Sequence, residues 1–222
     1  MFRFLCVLDF EATCDRGQSF TPPHEVIEFP SVMLERNEDN EYRPVAEFQE
    51  FCKPLYNIKL TEFCKNLTGI TQQQVSTGDD FPKVLERHQQ WLSQFSLEPE
   101  ELVIVCCGRW DICEMMLNEC RRWCITPHRI YMRTINVKDL FCKRFGGFRG
   151  GMKAMLEYME IPLQGRHHSG LDDSRNIASM TSVLAGEISL DTVIQVEAKL
   201  YKMTKHEKIK AKAALSKRLE KR

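Results

Sequence analysis

Five side chains that can bind a metal ion or move a proton occur at three places along the sequence. They are Asp9, Glu11, Asp111, His168 and Asp173. Carboxylate oxygens are the ligands that Mg²⁺ and Mn²⁺ prefer, and a histidine that titrates near neutral pH can take a proton from water. If the fold brings these groups together, the sequence predicts a site that holds divalent cations and activates a water molecule.

Asp9 and Glu11 form the first of the three places. Side chains alternate along a strand, so we expect both carboxylates on one face, about 7 Å apart along the chain, where one cation can bridge them. The spacing alone carries no weight, because 31 acids in 222 residues give about four such pairs by chance. The location matters more. A carboxylate beside a buried apolar strand costs several kcal/mol unless a cation or an arginine accompanies it.

Asp111 follows the apolar run Leu102 to Cys106 after the short segment Cys107 to Trp110, and it precedes a helical pattern over Ile112 to Trp123. One interpretation is an ordinary N-cap, since aspartate is among the preferred cap residues. The other is a ligand, because the carboxyl ends of parallel strands gather where ligands bind, near Asp9 and Glu11.

His168 precedes Asp173 by five residues, with Gly170 between them. This spacing predicts that the histidine lies on a loop before a helix over Asp172 to Leu184, and that Asp173 lies on that helix. The alternative is that His168, or its neighbour His167, is an ordinary histidine of a surface loop.

The apolar patterns predict strands early in the chain and helices later, which is typical of an α/β mixed sheet flanked by helices. The predicted strands are Phe4 to Phe10, Val26 to Leu34, Ala46 to Cys52, Leu102 to Cys106 and Ile130 to Val137. The predicted helices are Thr61 to Leu67, Phe81 to Phe95, Ile112 to Trp123, Met152 to Met159 and Asp172 to Leu184. We predict a single domain over residues 1–189, followed by a basic, helical tail over 190–222.

Composition narrows the class of protein. With 43% hydrophobic residues the chain can bury a core without disulfides, and its longest apolar runs are far shorter than the ~20 residues that cross a membrane. The ten cysteines are scattered and show no CxxC spacing, which indicates reduced thiols. We therefore expect no secretory signal, no membrane partner and an intracellular protein of the cytoplasm, the nucleus or both.

The net charge of zero conceals a division of the chain. Lys199 to Arg222 carries ten basic residues against Glu207 and Glu220, a net charge of +8, so the preceding residues carry −8. Such a basic run is either a solvated helix face or an arm that binds the phosphates of a nucleic acid.

Together the motifs resemble the DEDD-type 3′-to-5′ exonucleases of the RNase H-like fold, in the DEDDh branch that uses histidine. The resemblance runs from about Phe4 to Ala185 and rests on three motifs, Leu8 to Cys14, Gly108 to Asp111 and His168 to Ala178. Three further phrases resemble the eukaryotic exoribonucleases that trim histone mRNA, ribosomal RNA and short interfering RNA. They are His24 to Pro30, Phe63 to Thr71 and Gly165 to Arg166.

The resemblance implies specific roles for the site residues. Two Mg²⁺ (or Mn²⁺) ions would be held by Asp9, Glu11, Asp111 and Asp173, with His168 as the general base. Glu11 would also act as an acid/base or contact the 3′-hydroxyl. The substrate-binding set would be Thr13, Ile112, Thr68, Phe63, Trp110 and His168. For Trp110 and Phe63 the alternative is a place in the core, which is more usual for aromatic residues near strand ends.

The implied activity is hydrolysis of RNA from its 3′ end, with release of nucleoside 5′-monophosphates. Two cations ~3.5–4 Å apart neutralise the charge that develops in phosphodiester hydrolysis. The expected partner is RNA with a single-stranded 3′ end or a short 3′ overhang, and a protein partner is a possible source of substrate choice. Two alternatives stay open, a 3′-to-5′ DNA exonuclease and a non-catalytic RNA-binding protein, because the motifs do not show recognition of the 2′-hydroxyl.

Two further features concern RNA recognition. Family members best known for histone mRNA carry an N-terminal nucleic-acid-binding domain. We expect none here, because the sequence opens at the catalytic strand, and the basic tail is the candidate substitute. The stretch Arg144 to Gly151 alternates arginine, phenylalanine and glycine. It is either a loop before the next helix or a segment that stacks on bases and reaches phosphates.

Overall fold

Seven strands form one mixed sheet in the computed structural model, which describes residues 1–16, 24–147, 150–196 and 203–220. The strands are β1 (Phe4–Leu8), β2 (Glu11–Ala12), β3 (Val26–Arg36), β4 (Tyr42–Phe51), β5 (Leu102–Cys106), β6 (Arg133–Asn136) and β7 (Val193–Gln195). They lie in the order β4-β3-β1-β5-β6-β7, and β2 pairs with β3 beyond the end of β1. β1, β5 and β6 are parallel, whereas the pairs of β3 with β1, β2 and β4 and of β7 with β6 are antiparallel.

β1 is apolar throughout because both of its faces are covered. Phe4, Cys6 and Leu8 point into a core cluster on one side of the sheet, and Leu5 and Val7 point into a cluster on the other side. All five residues of the strand are buried. A strand covered on both faces needs apolar residues at every position, so its sequence shows a continuous run instead of an alternating pattern.

Helices cover the two faces of the sheet. They are α1 (Glu62–Thr68), α2 (Gln72–Thr77), α3 (Phe81–Ser93), α4 (Leu117–Arg122), α5 (Val137–Phe145), α6 (Met152–Tyr158), α7 (Gly170–Val183) and α8 (Lys205–Leu219). A π-helical segment, Asp111–Met116, leads directly into α4, and short 3₁₀ turns occur at Arg129–Met132, Ala185–Glu187 and Leu190–Thr192. Among the described residues, no helix combines the length and the apolar character that crossing a membrane requires.

The structure confirms the predicted α/β class and the strand Leu102 to Cys106, and it corrects several element bounds. β4 begins at Tyr42, four residues before the predicted start at Ala46. The strand predicted over Ile130 to Val137 is confined to β6, because a 3₁₀ turn precedes it. α7 begins at Gly170 rather than at Asp172.

The tail is only partly as predicted. The prediction of a helix from Leu190 is wrong at Val193–Gln195, which pairs antiparallel with β6 and extends the sheet. Branched side chains such as Val193 and Ile194 suit a strand, and the exposed edge of β6 supplies the hydrogen-bonding groups. The prediction is confirmed over Lys205–Leu219. Residues 197–202 of the tail lie outside the described residues, as do Phe148 and Arg149 of the glycine-rich stretch.

Candidate active site

The ends of β1, β2 and β5 bring the predicted acids to one edge of the sheet. β1 and β5 are parallel neighbours, so Asp9, directly after β1, lies near Asp111, which follows β5. Glu11 is the first residue of β2. Oxygen atoms of Asp9, Glu11 and Asp173 all lie within 4.8 Å of one another. The sequence prediction that separate motifs meet in one site is therefore confirmed for these three acids.

Asp111 joins the group from the carboxyl end of the neighbouring parallel strand, β5. Its Oδ1 atom accepts a hydrogen bond from the backbone N–H of Phe10 at 2.9 Å, and the side chain is buried. The N-cap interpretation is wrong. Trp110 occupies the cap position and makes no side-chain cap bond, while Asp111 is the first helical residue. The carboxylate instead ties the helix to the chain between Asp9 and Glu11, which fixes the position of the acids relative to one another.

The carboxyl groups are crowded and buried, which disfavours their charged forms. Burial raises the pKa of Asp9 well above its usual value, and repulsion from Asp111, Glu11 and Asp173 raises it further. Burial, with repulsion from Glu28 and Asp173, raises the pKa of Glu11 to about 9. Burial raises the pKa of Asp111 to about 6, although the Phe10 N–H opposes this.

This donor set fits divalent cations. Within the described part of the chain, no lysine or arginine forms an ion pair with Asp9, Glu11 or Asp111. Hard oxygen donors at this spacing are what Mg²⁺ and Mn²⁺ require, and a buried like-charged group is stabilised only when a cation compensates it. Bound cations would lower the raised pKa values and keep all four acids ionised at neutral pH.

The loop before α7 carries two histidines beside Asp173. The backbone N–H of His168 donates to Oδ2 of Asp173 at 2.8 Å, and His168 has a φ of 66°, a conformation that histidine adopts more readily than most residues. The imidazoles of His167 and His168 are stacked, with ring centroids 3.9 Å apart. Burial lowers the pKa of His168, and the neighbouring His167 lowers it further. A neutral imidazole is thus available near the acids to accept a proton.

His167 is closer to Asp173 than the sequence indicated. Its Nδ1 atom lies 3.2 Å from both carboxylate oxygens of Asp173, whereas the sequence pattern indicated for His167 only an ordinary histidine of a surface loop. Burial raises the pKa of Asp173, and the contact with His167 opposes this rise. The structure therefore places two histidines at the position where the family resemblance implies one general base.

Glu28 is a further buried acid beside the site, outside the residues predicted from the sequence. It lies opposite Glu11 in the pairing of β2 with β3. Its Oε2 atom accepts from the backbone N–H of Gly170 at 3.1 Å, and its Oε1 atom accepts from Gln49 at 2.7 Å. Glu28 therefore connects β3 to the first turn of α7. The signal in the sequence is an acid inside the apolar stretch Val26 to Leu34.

Gly170 allows α7 to approach the site closely. A Cβ atom at this position would lie 2.9 Å from the carbonyl oxygen of Asp9 and 3.0 Å from Oε2 of Glu28. Backbone cannot move aside as a flexible side chain can, so any larger residue must push α7 away from Asp9. Asp173, one turn into α7, would then move away from the other acids.

Arg166 joins two separate motifs of the sequence, Phe63 to Thr71 and Gly165 to Arg166. Its guanidinium donates to the carbonyl oxygens of Asn66 and Leu67 at the end of α1, and its backbone N–H donates to Asp172. The guanidinium also packs where a Cβ atom of Gly69 would lie, and Gly69 has a φ of 77° that favours glycine. The histidine loop is thus held at both its start and its end.

The predicted substrate-binding residues divide into accessible and enclosed ones. Trp110 is 38% exposed, and its ring lies edge-on to the ring of His24. Phe63 is half-buried and lines an open cavity of about 470 Å³ with Arg16 and Leu67. Both rings are therefore accessible from outside the protein, and their contact with a nucleotide stays a prediction.

Thr13, Thr68 and Ile112 are buried. The Thr13 hydroxyl accepts from the Glu25 N–H, and that of Thr68 donates to the Cys64 carbonyl and accepts from the Ile70 N–H. Their contact with substrate stays a prediction.

The comparisons with known proteins agree with this geometry. Residues 6–181 match the family model described as Exonuclease (RNase_T). This chain belongs to that exonuclease family. It is 36% identical over 188 residues to the mouse (Mus musculus) protein "3'-5' exoribonuclease 1", an alignment that covers 80% of this chain and 51% of the relative. The chain thus spans about half the length of this curated relative.

Two solved structures extend the comparison. The nuclease domain of 3'hExo, described as a DEDDh family member bound to rAMP, superposes with a TM-score of 0.76 at 31% identity, covering 84% of this chain and 93% of that one. A 3'-exonuclease whose structure shows 3'-end-specific recognition of histone mRNA stem-loop gives 0.75 at 27% identity, covering 88% and 71%. The predicted RNase H-like fold and DEDDh membership are therefore confirmed.

Proposed function

We propose that this protein is a 3′-to-5′ exoribonuclease that uses two Mg²⁺ (or Mn²⁺) ions and releases nucleoside 5′-monophosphates. One observation carries the proposal. Oxygen atoms of Asp9, Glu11 and Asp173, from distant parts of the chain, lie within 4.8 Å of one another, and a loop with two imidazoles contacts Asp173. A binding protein without catalytic activity has no need to gather these charges at a cost in stability.

Each group has a defined task in this proposal. Asp9, Glu11, Asp111 and Asp173 would hold the cations, which when bound neutralise negative charge on the reacting phosphate oxygens. His168 accepts the proton of the attacking water, and its lowered pKa keeps it neutral and able to do so at physiological pH. Glu11 contacts the 3′-hydroxyl of the terminal nucleotide. Trp110 and Phe63 are accessible to its base.

The name of one relative and the nucleotide bound to another favour RNA as the substrate. The mouse relative is named an exoribonuclease, and one solved relative is bound to rAMP. We propose RNA with a single-stranded 3′ end or a short 3′ overhang as the substrate, with a protein partner as a further source of selection. We also propose that the protein acts inside the cell, in the cytoplasm or nucleus, since all ten cysteines are unpaired thiols. Microscopy of the tagged protein tests the compartment.

The activity is tested with purified protein and end-labelled RNA and DNA oligonucleotides of one sequence. With Mg²⁺ or Mn²⁺, we expect stepwise shortening from the 3′ end of RNA and nucleoside 5′-monophosphate products, and none of this in EDTA. Asp9→Asn removes a ligand and should lower kcat by at least about a thousandfold, which corresponds to several kcal/mol of lost stabilisation. Asp139→Asn, at an exposed aspartate, is the matched control and should keep full activity.

Two neighbouring histidines allow a sharper test of the general base. His168→Ala should lower kcat by about 10²- to 10⁴-fold, the usual contribution of a general base. His167→Ala should have a smaller effect, because its imidazole contacts Asp173 rather than the expected water. Full activity of Asp9→Asn would overturn the proposal. Faster hydrolysis of DNA than of RNA would replace it with a DNA exonuclease, and RNA binding without hydrolysis in either metal would favour a binding protein.

A further inference from the structure

α8 is a strongly basic helix with a well-defined start. The Thr204 hydroxyl accepts from the Glu207 N–H, and the Glu207 carboxylate accepts from the Thr204 N–H at 2.7 Å, a reciprocal cap. Between Lys205 and Leu219 the helix carries six basic side chains and one acidic one. The sequence alone left open whether this charge is a solvated face or a phosphate-binding arm.

One face of α8 lies against the catalytic body. Ala211, Leu215 and Arg218, spaced at i, i+4 and i+7, are half-buried. The Arg218 guanidinium lies 4.8 Å from the centroid of the Tyr56 ring, and Arg122 of α4 lies 5.9 Å from the same centroid. The helix is therefore placed at the end of α4 by specific contacts.

The lysines of α8 are open to solvent. Lys205, Lys208, Lys210, Lys212 and Lys217 are exposed, and none of them forms an ion pair within the described ranges of the chain. Positive charges three and four residues apart on a helix repel each other by about 0.2–0.5 kcal/mol per pair. A partner that supplies closely spaced negative charge relieves this repulsion, and the phosphates of a nucleic acid do so.

The position of α8 relative to the acids suits the upstream part of a bound strand. The helical stretch from Asp111 to Arg122 rises by roughly 15 Å, which separates the acidic site from the contact with α8. Nucleotides stack at about 3.4 Å along a strand, so four or five of them span this distance. A trinucleotide bound at the acids is shorter than this interval, so we expect it not to reach the contact with α8.

The catalytic body itself needs such an arm. Residues before Lys199 have a net charge of −8, and the active site concentrates acids at one point. A polyanion is repelled by this body except where cations are bound. We propose that α8 binds the phosphate backbone of RNA about four or five nucleotides upstream of the 3′ end, which rests on the proposed exoribonuclease function. The lysines supply affinity without sequence preference, since phosphate contacts carry no base information.

The test compares the full-length protein with two variants of the same five lysines. Lys205, Lys208, Lys210, Lys212 and Lys217 are changed together, in one variant to glutamine and in the matched control to arginine. Both replacements are good helix formers, and circular dichroism verifies that α8 persists. Fluorescence anisotropy then measures the Kd for a labelled single-stranded RNA of about 12 nucleotides, in EDTA to prevent hydrolysis, between about 50 and 200 mM salt.

We expect a shallower salt dependence for the glutamine variant only. Each lost phosphate contact reduces the slope of log K against log salt by about 0.7. If the glutamine variant loses three contacts, the Kd of the wild type should rise about 20-fold more than the Kd of the variant between about 50 and 200 mM salt. Hydrolysis of a trinucleotide should be equal in all three proteins, because it does not reach α8. Hydrolysis of the longer RNA should have a higher KM in the glutamine variant with little change in kcat.

Equal salt slopes for wild type and the glutamine variant would overturn the inference, and binding of the lysines to an acidic protein or a membrane would then replace it. Equal losses on the trinucleotide and the long RNA would also overturn it, since the variant would have damaged the catalytic body. Failure of the proposed function looks different. In that case the lysine-dependent slope is present, but no RNA is hydrolysed by any of the three proteins.

Discussion

Glu11 offers a direct test of the crowded carboxylates. Glu11→Gln keeps the shape of the side chain and removes its charge. Burial, with repulsion from Glu28 and Asp173, raises the pKa of Glu11 from 4.5 to about 9. When a carboxyl group has a higher pKa in the folded state than in the unfolded state, the free energy of unfolding falls as the pH rises from the unfolded-state pKa to the folded-state pKa. In metal-free protein, this window runs from about pH 4.5 to about pH 9.

The size of the effect follows from the same linkage. At pH 7 the Glu11 carboxyl is ionised in the unfolded protein and protonated in the folded one. Each pH unit above the unfolded-state pKa lowers the free energy of unfolding by about 1.4 kcal/mol, which gives about 3 kcal/mol in all. We therefore expect Glu11→Gln to raise the free energy of unfolding of the metal-free protein by up to about 3 kcal/mol at pH 7. In a chain of this length that is roughly 6–12 °C in Tm. Near pH 4.5 the variant and wild type should have the same stability.

Thermal denaturation in EDTA, followed by circular dichroism at about pH 5 and about pH 8, measures this difference. Glu114→Gln, at an exposed acid of the π-helical segment Asp111–Met116, is the control and should change little at either pH. In excess Mg²⁺ or Mn²⁺ the order should reverse, because ligands that bind only the folded state stabilise it and the variant has lost a donor. If Glu11→Gln is less stable than wild type in EDTA by the same amount at both pH values, the carboxylates do not repel as we infer.

Three further predictions concern residues around the site and in the core. Gly170→Ala should destabilise the protein by about 1–3 kcal/mol in urea unfolding and weaken Mn²⁺ binding in calorimetry, because the added Cβ atom would meet the Asp9 carbonyl. Gly186→Ala, with open space around it, is the control and should change little, and equal effects of the two substitutions would contradict the packing argument. Glu28→Ala should lower the free energy of unfolding by about 1–3 kcal/mol, because it leaves the Gly170 N–H without its acceptor. Glu28→Gln should retain most of the stability in the same urea assay, and a larger loss of stability for Glu28→Gln than for Glu28→Ala would argue against a hydrogen-bonding role. Burial lowers the pKa of His88 to about 3, so its contribution to stability is present above about pH 6.5 and falls by about 2 kcal/mol between pH 7 and pH 5. The difference between wild type and His88→Asn should therefore shrink on acidification, and a difference that stays constant would show that His88 is not held neutral.

Local patterns were sufficient for much of the fold. β5 has the bounds expected from its apolar run, since burial on both faces leaves a continuous signal. β1 begins at Phe4 as expected but ends at Leu8 rather than Phe10, so Asp9 and Glu11 do not lie on one strand as predicted. The bounds of α7 were missed by two residues because the Gly170 N–H is stabilised by Glu28, which lies 142 residues away in the chain. β7 was mistaken for a helix because its apolar residues fit either structure, and only the free edge of β6 selects a strand.

The sequence by itself determined which chemical groups this protein can use. The kinds of residue at Asp9, Glu11, Asp111, His168 and Asp173, and the apolar runs beside them, follow from the chain and predict a metal-dependent nuclease of the DEDDh type. Only the tertiary structure decided how these groups are arranged. The bond from Phe10 to Asp111, the link from Glu28 to Gly170 and the contact of His167 with Asp173 join distant segments or depend on how a loop folds. Such contacts are set by strand register and helix packing, and these depend on the whole core rather than on any local pattern.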